Sequence, residues 1–106
     1  MTDIKTLIQG STGLPTEDTA FAKAQKLPFV VFIDKIRTDG DDFMQKKTAE
    51  HDLAVEFYAE KIDAANEKKL EAIFDQQGWK YERDRIWLTD EKCFETIYLI
   101  NFTERV

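Results

Sequence analysis

Cysteine occurs once, as Cys93, so no disulfide can form within the chain. A reducing interior such as a bacterial cytoplasm fits that usage. Histidine also occurs once, as His51, and one His with one Cys cannot build a zinc site unless carboxylates fill the remaining positions. The four glycines stand apart at 10, 13, 40 and 78, which leaves no glycine-rich phosphate loop. No stretch approaches the length of a membrane span, and the N-terminal residues show no apolar run of signal-peptide length. These absences lead us to expect a soluble protein with no signal-directed export and no membrane partner. Positive charge is also short, with 15 Lys and Arg against 21 Asp and Glu and a net charge of -6. Tight duplex binding uses a basic face that releases counterions from phosphates. The densest basic stretches, Gln45–Lys47 and Lys68–Lys69, sit among carboxylates. Tight direct nucleic-acid binding is therefore not expected.

What is present is material for a core. Hydrophobic residues make up 42% of the 106 residues and include eight Phe, three Tyr and two Trp, enough for one domain, 1–106, without staples. The 34% charged residues are well mixed along the chain, which argues against disorder. Ile4, Leu7 and Ile8 have helical spacing and predict a short N-terminal helix over residues 3–9, ended by Gly10–Gly13 and Pro15. Thr19–Lys23 reads as a short strand with a weak signal. Phe29–Ile36 is rich in β-branched and aromatic residues and apolar on both faces, which predicts a strand that is central or covered on both sides. Thr38–Asp42 reads as a turn, and Phe43–Thr48 as a ragged returning strand.

From His51 to Tyr58 the alternation is clean, with Leu53, Val55 and Phe57 on one face. Asp63 suits an N-cap, and Glu67 falls in or near the first turn, where negative charge is favoured. Leu70, Ile73 and Phe74 form the apolar stripe of a helix over about 63–77, extended by Ala65 or Asn66, while Lys68, Lys69, Glu71 and Asp75 face water. Gly78 at C′ sets Phe74 and Trp79 at the two positions that touch in a Schellman motif. Strands follow over Trp79–Trp87 and Cys93–Phe102, separated by a turn at Thr89–Asp90. The fold class expected is α+β: a mainly antiparallel sheet of about four to six strands, with the long helix on one face and the short N-terminal helix beside it.

Few residues invite chemistry. His51 and Asp52 are strand neighbours and point to opposite faces, so they are no catalytic pair. A Cys93–His51 dyad needs the two on neighbouring strands; a cysteine on a strand is more often a small buried hydrophobe. Asp39, Asp41 and Asp42 around Gly40 faintly resemble a calcium loop, but Gln45 and Thr48 fall where ligands are needed, and a solvated turn explains them better. No catalytic residue, cofactor or metal site is assigned. Trp79–Arg83 interleaves aromatics with charge, a pattern compatible with stacking on single strands, although core packing accounts better for Trp79 and Tyr81. Arg83, Arg85 and Trp87 end that strand face and fit either a partner surface or a solvated edge with snorkelling arginines.

Several segments in order carry a resemblance: Pro28–Phe32, Glu56–Tyr58, the Glu- and Lys-rich helix Asp63–Phe74, Trp79–Glu82, and Glu91–Tyr98. Over roughly residues 28 to 102 the chain resembles the small tail-completion proteins (tail terminators and head–tail joining proteins) of tailed phages and prophages. Members often carry Tyr at the positions of Phe29, Phe32 and Phe94, and Leu-Tyr-Thr in place of Phe57–Ala59, changes that keep the core. The resemblance implies a non-enzymatic structural protein of the virion, present in the bacterial host cytoplasm during assembly. Such a protein caps the tail tube or joins tail to head as a ring, with itself and other tail or head-connector proteins as partners.

A ring subunit needs two different patches that meet head-to-tail and close by rotation. The Arg37–Lys47 loop is one candidate, with Arg37, Asp39, Asp41 and Asp42 around the apolar anchors Phe43 and Met44; the Arg83, Arg85 and Trp87 edge is the other. Replacing Phe43 and Met44 with Ser is expected to leave the fold intact and weaken assembly, as read by sedimentation. A different class of function is a small acidic inhibitor or adaptor that mimics DNA or masks a host protein; mimicry needs carboxylates aligned on one surface, and here acids and bases alternate on most elements.

Overall fold

The structure is a computed structural model that describes residues 2–39 and 48–105. The first helix, α1 (Ile4–Thr12), starts at Asp3, whose side chain accepts from the Thr6 N–H, and ends at Gly13 in the left-handed region. It runs past the expected residues 3–9 because Gly10 is tolerated inside it and Gly13, not Gly10, takes the positive φ. Strands β1 (Thr16–Asp18), β2 (Phe29–Asp39) and β3 (Thr48–Ala59) follow, then α2 (Ala64–Gln77), β4 (Tyr81–Leu88) and β5 (Cys93–Arg105). The class is α+β, with a five-stranded sheet in the order β1-β2-β3-β5-β4. β1 pairs with β2 in parallel, and every other pairing is antiparallel.

Three sequence expectations are corrected here. The early strand is Thr16–Asp18, not Thr19–Lys23, because Thr19 turns to φ 67 and leads the chain out of the sheet. β2 is flanked by β1 and β3 and buried on both faces only over Val30–Phe32, not along its whole length. Beyond Phe32 it has no neighbour on its outer side among the described residues, and Ile33 and Ile36 are exposed. Thr38 and Asp39 are not turn residues but continue β2, paired with Ala49 and Thr48. The rest of the predicted turn and the ragged strand through Lys47 lie outside the described residues.

Alternation explains the core. Val30 and Phe32 of β2, Leu53, Val55 and Phe57 of β3, and Tyr98 and Ile100 of β5 share the face on which α1 and α2 lie. Ile4 and Ile8 from α1, with Leu70, Ile73 and Phe74 from α2, fill the space above them. We call this the covered face and its reverse the open face. Burial of these side chains supplies the main driving force for the fold.

The end of α2 matches the expected Schellman motif. Asp63 caps the start by accepting from the Asn66 N–H. At the other end the Trp79 N–H donates to the Phe74 carbonyl and the Gly78 N–H to the Asp75 carbonyl, with Gly78 at φ 74. The rings of Phe74 and Trp79 stack at 6.2 Å. Gly78→Ala is expected to lower stability by about 1–2 kcal/mol, because an L side chain is strained at positive φ; the shift in the urea midpoint measures it.

Candidate functional site

A polar cluster lies where α2 crosses the β4 edge. Glu67 is buried and extends the apolar stripe of the helix at the place expected of Ala65 or Asn66. Its carboxylate accepts from Arg85 Nη2 at 2.6 Å, from Arg85 Nε at 3.0 Å and from the Thr96 hydroxyl at 2.6 Å. Burial alone pulls this carboxyl up, but the Arg85 and Thr96 bonds outweigh it and hold the group below its ordinary range. One turn on, Glu71 accepts from Arg83 Nη1 at 3.0 Å and from the Tyr98 hydroxyl at 2.8 Å, so it is not simply a water-facing residue. Burial, together with that carboxylate, pushes the Tyr98 phenol up.

A second cluster ties three strands together at the far end of the sheet. His51 is fully buried. Its Nδ1 lies 2.9 Å from Asp34 on β2 and its Nε2 lies 2.9 Å from Glu104 on β5. Glu104 also accepts from the Thr2 amide at 3.1 Å and the Thr2 hydroxyl at 2.8 Å, which fastens the N-terminal residues to β5. Burial raises the Glu104 carboxyl, and the bonds from Thr2 and His51 more than offset that and lower it. Phe102 stacks on His51 at 4.2 Å and on Trp79 at 4.3 Å, so the cap of α2 and this cluster share one ring.

His51 and Cys93 do not form a dyad. His51 is level with Phe102 on the covered face, whereas Cys93 opens β5 on the other face, nine residues away and ~30 Å along the strand. Burial pushes the Cys93 thiol up, aided by the Glu91 and Glu95 carboxylates, which disfavours the thiolate form. Among the described residues, no group of three or more His, Cys, Asp or Glu is placed to hold a metal ion, and no helix is long and apolar enough to cross a membrane.

The sequence-predicted interface residues fall in two separated places. Arg37 is exposed on the open face of β2 and pairs with Glu50 at 3.0 Å and Asp52 at 2.7 Å. Asp39 is the last residue of β2. Asp41, Asp42, Phe43 and Met44 lie outside the described residues. Arg83 and Arg85 point to the covered face and are paired with Glu71 and Glu67; Arg83 is still 43% exposed and Arg85 29%. Trp87 shares their face at the end of β4, packed edge-on against Phe94 and still 50% exposed. Among the described residues the two groups lie on different strands, β2 and β4, on opposite sides of β3 and β5.

Sequence reasoning missed the open face itself. Ile33, Ala54 and Leu99 line up across β2, β3 and β5, and Ile33 and Leu99 are 44% and 54% exposed. A shallow depression beside Leu99 is bounded by Asp52, Lys80, Glu82 and Asn101. The corner near Phe29 is covered, where Phe21 packs edge-on against Phe29 and Phe29 stacks on Tyr58. The signal was present in the two-sided apolar pattern of β2, which fits a face awaiting a partner as well as one covered within the chain.

No protein-family model and no curated protein matches this sequence. The fold is similar to that of a chain in the virion of a native gene transfer agent particle, with a TM-score of 0.60 and 10% sequence identity, over 93% of this chain and 84% of that chain. At that identity the likeness is one of fold.

Proposed function

We propose that this chain is a non-enzymatic structural protein of a tailed phage or prophage, acting in the virion. In this reading it caps the tail tube or joins tail to head through ring-like self-association. The observation that carries the reading is the near end-to-end correspondence in fold with a chain of a virion particle. The resemblance of the segments from Pro28 to Tyr98 to tail-completion proteins points the same way. The geometry is compatible. The buried carboxylates and imidazole, Glu67, Glu95 and His51, all bond to groups of other elements, and the nucleophile–base pair that the sequence allowed is split between two faces. An exposed apolar row on the open face suits a protein that works by contact. A net charge of -6 suits a ring around a DNA channel, since a lumen that grips phosphate would hinder passage.

The test is electron microscopy of gold-labelled protein mixed with tail tubes that lack their terminal proteins. Label confined to one tube end supports the reading. Absence of label from tube ends contradicts it and favours an inhibitor or adaptor of a host protein.

A further inference from the structure

Two strand edges of this chain are matched to one another. The outer side of β2 is taken by β1 only as far as Phe32, so Ile33–Asp39 faces outward among the described residues. β4 is the last strand on the opposite side of the sheet. Val30 donates to the Pro15 carbonyl and Phe32 accepts from Thr19, so the even-numbered residues of β2 turn their backbone groups outward, and Asp34, Ile36 and Thr38 continue that series. Carried through the unbroken registers of β3 and β5, the same alternation turns the backbone groups of Tyr81, Arg83 and Arg85 outward from β4.

We infer that the β4 edge of one copy pairs antiparallel with the β2 edge of a second copy, with Arg83 opposite Ile36. The two strands run in opposite directions within one sheet, so a neighbour that keeps the same orientation presents them antiparallel. In that register the open-face side chains meet as Ile86 with Ile33, Asp84 with Lys35, and Glu82 with Arg37, while Arg85 meets Asp34 on the covered face. Opposite charges or an apolar pair face each other at these four positions, while Arg83 lies opposite the apolar Ile36. Ile86 and Ile33 are among the exposed large hydrophobics of the chain. Pairing stops at Ile33, where β1 occupies the edge.

Charge also selects against the symmetric alternatives. Two β4 edges about a twofold axis through Arg83 would set Glu82 against Asp84, and two β2 edges about one through Ile36 would set Lys35 against Arg37. The edges therefore resist self-pairing, as edge strands commonly do, and admit the head-to-tail pairing. A heterologous contact of this kind builds a ring if its rotation closes and a filament if it does not. The inference deepens the ring reading and rests on it only for closure.

The test uses the full chain with Cys93→Ser, carrying Ile33→Cys and Ile86→Cys. These two face each other as a non-hydrogen-bonded pair, where the Cα atoms of an antiparallel ladder lie about 4.5 Å apart and a disulfide can form. Mild oxidation is expected to give a ladder of covalent multimers on a denaturing gel. The same chain with Arg37→Cys in place of Ile33→Cys is expected to give none. Adding Asp84→Lys should abolish the ladder, and adding Lys35→Glu to that chain should restore it; both sites are exposed, and unchanged thermal melting confirms the fold. No ladder, an equal ladder from the shifted pair, or no response to the charge exchange overturns the inference. Cross-linking without binding to tail tubes would keep the edge pairing and remove the tail role, and tube binding without cross-linking would do the reverse.

Discussion

Glu67→Leu is expected to destabilise the fold by about 3 kcal/mol, since removing one partner of a buried pair strands the other. The stranded groups are the Arg85 guanidinium and the Thr96 hydroxyl, which Glu67 now accepts from at 2.6–3.0 Å. Arg85 is 29% exposed and can turn partly to water, which keeps the figure at the low end for buried pairs. Glu67→Leu combined with Arg85→Leu should recover most of the loss, because an apolar pair there needs no partner. Urea midpoints at an unchanged slope measure both effects. The pH dependence has a definite sign. The folded carboxyl sits below its ordinary value of 4.5, so its contribution is complete above that pH and is lost as pH falls through the lower folded value. Glu67→Gln should therefore flatten part of the acid limb of the stability curve.

His51→Leu is expected to cost about 3 kcal/mol, because it leaves the Asp34 and Glu104 carboxylates without their shared hydrogen-bond partner. The ring stands between Asp34 at 2.9 Å and Glu104 at 2.9 Å, whose side chains are 11% and 21% exposed. Without the ring, two shielded carboxylates face an apolar side chain and each other. In a chain that also carries Asp34→Asn and Glu104→Gln, the same substitution should cost less than half as much, since no charge is left stranded. Amide hydrogen exchange should locate the loss at the ends of β2, β3 and β5, where this cluster joins them.

The features that were legible in the sequence are local. Leu53, Val55 and Phe57 alternate and are buried, and Phe74, Gly78 and Trp79 announce a helix end that forms as their spacing requires. These rest on periods of two and 3.6 residues and on one positive φ, all set by near neighbours. The features that were not legible depend on distance. Glu67 looked like an ordinary acid near a helix start because its partners lie 18 and 29 residues away. His51 looked isolated because Asp34 and Glu104 are 17 and 53 residues away and come together only when β2, β3 and β5 align. β1 was placed late because three residues, Thr16–Asp18, carry no apolar alternation. The apolar faces of β2 suggested a covered strand, since composition alone does not separate burial inside one chain from burial against another. Of the candidate interface, Arg37, Arg83 and Trp87 are exposed and Arg85 is partly so, and each of the three arginines is paired with carboxylates of its own chain.

The central claim is that this chain works by associating with copies of itself and with the end of a tail. Light scattering across a wide concentration range, with and without purified tail tubes, tests it most directly. The account predicts a closed oligomer of fixed mass, formed either by the protein alone or on the tube end, and lost with Asp84→Lys. A strict monomer at every concentration that also ignores the tubes contradicts it.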